Sequence, residues 1–139
     1  MKKWLVITLM MLGITACGEP EDPNAPTQAE KDTLTLAFIN KIKKDSSGAV
    51  ECKTKQVNNR YYVGCALISL DGRGNTYIFI YNKDKDPVKR FYALNGTAMT
   101  IYDNHFKNES LLGSYKDTFG LPMEKDIDLS LIHQSFEEK

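Results

Sequence analysis

The chain has little of what usually identifies a function quickly. It has no excess charge: 18 basic side chains stand against 18 acidic ones in 139 residues. That balance leaves no footprint for a polyanion, so no nucleic-acid partner is expected. It has only two histidines, His105 and His133, neither in an HExxH arrangement nor near a cysteine. No metal site and no cofactor are expected, because ligands at zinc spacing are missing. Gly-x-Ser-x-Gly, GxGxxG and the P-loop lysine are missing as well, and with them the common nucleophile, dinucleotide and phosphate motifs. No internal repeat occurs. At 26% charged and 42% apolar, the composition fits neither a disordered chain nor a multi-span membrane protein.

What is present begins at the N-terminus. Met1-Lys2-Lys3 is a positive start, and Trp4 to Ile14 is an apolar run broken only by Thr8 and Gly13. The run is too short for the roughly 20 residues a spanning helix needs, and the order is that of a secretory signal peptide. It ends in Ile14-Thr15-Ala16-Cys17. That box resembles the signal of bacterial lipoproteins: a branched apolar residue, two small residues, then cysteine. The resemblance implies cleavage before Cys17, a covalent lipid on that cysteine and anchorage in a membrane. Gly18 stands where an aspartate would favour inner-membrane retention, so the implied address is the outer membrane, facing the periplasm. Two or three acyl chains hold a protein stably where one does not. Loss of Lys2 and Lys3 leaves the exported chain slightly acidic, so the lipid has to do the holding.

Three segments follow: 1–16 as signal peptide, 17–27 as lipidated cysteine and tether, and 28–139 as a single α+β domain. Gly18 to Pro26 holds three prolines and three acids. It reads as a stiff spacer lifting the domain roughly 25–30 Å at polyproline rise. Thr27-Gln28-Ala29-Glu30 matches a capping box, and Leu34, Ala37, Phe38 and Ile42 share one helical face, widened by Leu36 and Ile39. The pattern predicts a helix over 28–44.

Strands follow from Ala49. Asn58-Asn59 suits a two-residue type I′ turn, since asparagine tolerates positive φ. Centred there, Val57 faces Arg60, and five pairs further out Cys52 faces Cys65. Pairs alternate from a hydrogen-bonded one beside the turn, so Cys52 and Cys65 form a non-hydrogen-bonded pair. Cα atoms there lie about 4.5 Å apart, within disulfide range. A Cys52–Cys65 disulfide is expected, worth on the order of 3 kcal/mol, and it fits an oxidising compartment.

Asp71-Gly72-Arg73-Gly74-Asn75 has the residues of a cation loop or phosphate nest, but its place as a turn between strands accounts for both glycines. Thr76 to Tyr81 and Val88 to Leu94 read as strands. Asn95-Gly96 is a strong hairpin signal, so Thr97 to Asp103 is expected to return as a strand with Tyr92 facing Met99. The sum is an N-terminal helix on an antiparallel meander of about five strands, an element order similar to cystatin-like wraps. A short helix is read within Ser110–Phe119. Residues 124–137 suit a helix slightly better than a strand.

One helix covers one sheet face. Some of the strand-borne Tyr61, Tyr77, Tyr81, Tyr92 and Tyr102 should then form an exposed contact surface, unless the C-terminal segment packs over it. No catalytic residue is expected. The expected function is a membrane-anchored, non-enzymatic module binding an envelope or periplasmic protein, as an assembly subunit or a protective inhibitor. The alternatives are an envelope hydrolase and a carrier of a small apolar ligand.

Overall fold

The computed structural model describes residues 22–43 and 48–137. The segment expected to be a signal peptide, with its lipobox-like Ile14–Cys17, lies outside the described residues. Helix α1, Gln28–Phe38, starts at the expected capping box: the Thr27 hydroxyl accepts from the Glu30 N–H at 3.1 Å, and the Thr27 N–H donates to the Glu30 carboxylate at 2.9 Å. Its last turns, Ile39–Lys43, widen to a π-helical turn. Leu34, Ala37 and Phe38 are buried, as their spacing predicts, but Leu36 and Ile39 lie exposed on the outer side of the helix.

Strand β1, Ala49–Val57, and β2, Arg60–Ser69, form the expected hairpin. Asn58 and Asn59 take φ of 51° and 67°, the left-handed pair that a type I′ turn requires. The ladder runs from Val57 opposite Arg60 to Ala49 opposite Ile68, and places Cys52 opposite Cys65. The two are disulfide-bonded, with Cα atoms 4.0 Å apart. The short β3, Gly72–Arg73, folds back on the end of β2, and β4, Tyr77–Tyr81, pairs antiparallel with the middle of β2. Strand β5, Phe91–Ala93, extends the sheet and is shorter than its apolar pattern suggests.

The expected last hairpin does not form. Asn95 has φ −92°, an extended value, and it caps helix α2, Gly96–Ile101. A π-helical turn, Tyr102–Phe106, continues it. The chain then returns as β6, Leu112–Ser114, parallel to β5. Parallel neighbours need a crossover, and α2 is that crossover. The physical reason lies in the Asn95 side chain, whose oxygen accepts from both Ala98 N–H and Ile78 N–H at 3.1 Å. Its bonds go to a helix start and to β4, leaving it no role in a tight turn. Tyr92 accordingly lies beside Ile80 and Gly113, not Met99. A side chain at Gly113 would meet the Tyr92 ring at 2.9 Å.

Helices α3, Tyr115–Thr118, and α4, Leu129–Glu137, complete the chain. The main sheet order is β1-β2-β4-β5-β6, with β3 beside β2. It has a layer on each face. Leu34 and Phe38 of α1 and Ala98 of α2 cover one, against Val63, Cys65, Phe79, Phe91 and Leu112. Ile132 and Phe136 of α4 cover the other, with Tyr62, Ile78, Ile80, Tyr92, Leu94 and Tyr115. Gly64 admits α4, because a Cβ there would stand 2.9 Å from the Phe136 ring.

Candidate functional site

Of the two outcomes open to the tyrosines, an exposed surface or packing under the C-terminal segment, the second layer gives the packing. Tyr92 is fully buried under the C-terminal segment, packed edge-on against Phe119 at 5.1 Å. Tyr81 and Tyr102 are buried on the α1 side, and Tyr102 stands in a helix, not a strand. Tyr61 and Tyr77 are half-buried on that same side, Tyr77 against Phe38 at 5.4 Å. The C-terminal helix covers the face left open by α1, and the five side chains share no exposed patch.

A cleft of about 540 Å³ opens instead where α4 meets the β3–β4 corner. Its walls are Lys53, Arg73, Gly74, Asn75, Thr76, His133, Phe136 and Glu137. Its size is typical of ligand sites. It joins the glycine-rich turn to one of the two histidines, a juxtaposition that the 57 residues between Asn75 and His133 conceal. His105 is on the turn after α2, in the other layer, so the histidines do not meet.

Asn95 organises the inner wall. Two backbone N–H groups fix its amide oxygen, so its nitrogen points the other way. That nitrogen donates to the Thr76 carbonyl at 2.9 Å and stands 3.4 Å from His133 Nε2. Nε2 can accept from that nitrogen in the tautomer that carries the ring proton on Nδ1. At the outer wall the Glu51 carboxylate takes Arg73 and, at 3.7 Å, Lys53. The Arg73 hydrogen bond, aided by Lys53 and opposed by slight burial, holds the Glu51 carboxyl below its usual range. The cleft therefore presents donors on a charge-balanced rim over an apolar base, Phe136. Such a lining suits recognition of a polar, extended segment. Among the described residues no group of three or more His, Cys, Asp or Glu side chains gathers at metal-binding range.

The opposite end of the sheet carries a second polar cluster. Asp22–Pro26, read in sequence as spacer, lies on the domain. The Tyr61 hydroxyl donates to the Asp22 carboxylate at 2.6 Å, the Ala25 N–H donates to the Asp22 carbonyl at 3.0 Å, Lys83 donates to the Pro23 carbonyl, and Pro26 is buried. The Tyr61 hydroxyl, then the Asn24 N–H, holds the Asp22 carboxyl below the usual carboxylate range, against slight burial and with help from Lys83. Just inside, Glu30 accepts from Tyr81 at 2.8 Å and from Arg90 Nε at 3.1 Å. Burial works against the Glu30 charge, but the bonds from Thr27 and Tyr81 and the nearby Arg90 outweigh it and keep its carboxyl low. Burial, then the bond to Glu30, pushes Tyr81 up to about 12.

Asn95, which lies behind the wall and holds Thr76 and His133, was hidden in the sequence by its resemblance to a hairpin turn. The signal was there, since asparagine is as good a helix N-cap as a turn residue. Comparison of the chain with protein families, with curated proteins and with solved structures finds no match in any of the three.

Proposed function

We propose that the protein is a lipid-anchored envelope protein that works by binding a segment of another protein in the cleft beside α4. Cysteine usage carries the reading. Ile14-Thr15-Ala16-Cys17 resembles a lipoprotein signal, and the other two cysteines form the Cys52–Cys65 disulfide, which suits an exported chain. The cleft adds support, because its donors and balanced rim are recognition chemistry. The outer membrane is the address we infer, from Gly18. The space between α1 and the sheet is filled by Phe38, Phe79 and Phe106, whose rings meet edge-on at 5.1–6.0 Å. That packing favours protein binding over carriage of an apolar ligand.

The test is a photo-crosslinking amino acid placed in cells at Gln134, beside the cleft, or at Lys107, on the other layer. An adduct of defined mass at 134, none at 107, and its loss with Lys53→Glu are expected. Equal adducts at both positions, or none, would defeat the cleft reading. Turnover of cell-wall material abolished by His133→Ala would replace binding with hydrolysis. Labelled palmitate on Cys17, lost in Cys17→Ser, tests the anchor separately.

A further inference from the structure

The docked segment Asp22–Pro26 bears on how the domain meets its membrane. We infer that this strap holds the Tyr61–Lys83 end of the sheet against the lipid surface and turns the α4 cleft away from it. The inference rests on the lipid anchor proposed above.

Reach sets the orientation. From Cys17 to Asp22 is five residues, which extended chain spans in at most about 18 Å. A free spacer to Pro26 would reach nearly twice as far, but its second half is spent on the domain. Three separate contacts hold it there: Tyr61 on the Asp22 carboxylate, Lys83 on the Pro23 carbonyl, and the buried Pro26. The strap therefore enters at one end of β2. The other end of β2, at Ser69, is eight residues on, about 26 Å at strand rise. Arg73 of the cleft pairs with Ile68, seven residues from Tyr61 along β2, about 23 Å at strand rise. A tether of that length cannot let the domain turn over without first peeling the strap away.

The surface around the strap fits a headgroup layer. Asn24, Asn59, Asn82, Lys83 and Asp84 line it, polar and mixed in sign, with no exposed large apolar side chain among them. It can lie against lipid headgroups without inserting. At the far end stands Leu70, 99% exposed at the tip of the β2–β3 turn, where a partner and not the bilayer would meet it.

The experiment uses the lipidated protein in phosphatidylethanolamine–phosphatidylglycerol vesicles carrying a headgroup-bound acceptor dye. A donor dye is attached at Asp84→Cys or at Asp71→Cys, both exposed positions. Strong energy transfer from 84 and weak transfer from 71 are expected. Tyr61→Phe with Lys83→Met frees the strap, and transfer from 84 should fall toward the level at 71. Equal transfer from both sites in the parent, more from 71, or no fall in the freed variant overturns the orientation. Vesicles that float without protein defeat the anchor; vesicles that carry protein with equal transfer defeat the strap alone. The parent comparison needs no weakened fold.

Discussion

Two asparagine-led turns divide this molecule, and they use the same side chain in opposite ways. At Asn58-Asn59 the backbone does the work: both residues take positive φ and reverse the chain between long strands. At Asn95-Gly96 the side chain does the work: φ is −92°, the amide oxygen holds two N–H groups, and a helix begins. The first turn is flanked by nine ladder pairs and a disulfide, so its geometry is set by what is beside it in sequence. The second is set by β4 and the residue before it, which arrive from elsewhere and offer Ile78 N–H and the Thr76 carbonyl. A turn motif thus states what the backbone can do, and neighbours in space decide which option it takes.

The largest expected effect comes from unlocking the first turn. Cys52→Ala with Cys65→Ala should cost about 3 kcal/mol of unfolding free energy in a denaturant titration. A smaller loss would mean that the ladder alone holds the hairpin. At the second turn, Asn95→Ala leaves a cap and two buried backbone groups without partners, for a cost of about 2–3 kcal/mol by the same measurement. Glycine sharpens the contrast. Asn59→Gly should be near neutral, since glycine suits positive φ, while Asn59→Ala costs about 1 kcal/mol. Asn95→Gly should lose nearly as much as Asn95→Ala, because there the side chain and not φ is needed. Near-neutral Asn95→Gly would break the comparison.

Acid should act mainly at the strap end. The folded Glu30 carboxyl is held low, so the stability it contributes is complete above the ordinary glutamate value of about 4.3 and fades as pH falls through the lower folded value. Chemical denaturation from about pH 6 downward should show that loss, and Glu30→Gln should flatten it. The smallest effect is expected at the hydroxyls of Tyr62 and Tyr92, which are buried and find no hydrogen-bond partner among the described residues. Burial, more than any neighbouring charge, pushes Tyr62 up to about 12. Tyr62→Phe and Tyr92→Phe should change stability by less than about 1 kcal/mol, or raise it, because no bond is lost. A large loss at either would reveal a partner for the hydroxyl.

Much of the first half of the domain was legible. The capping box at Thr27–Glu30 and the Cys52–Cys65 register both follow from residues a few positions apart. Little of the candidate site was. His133 and Gly74 become neighbours only because α4 settles over Gly64, and the C-terminal layer that buries Tyr92 has a weak pattern in sequence.

Sequence alone determined the features whose energy is local: the α1 start, the left-handed turn at Asn58-Asn59, and through strand parity the disulfide. Tertiary structure decided what depends on distant partners. It made Asn95 a cap, made β6 parallel, buried Tyr92, and laid Asp22–Pro26 on the sheet end. A local motif leaves several conformations within a kcal/mol or so of one another, about the worth of a single hydrogen bond, and one buried contact from another element is enough to choose among them.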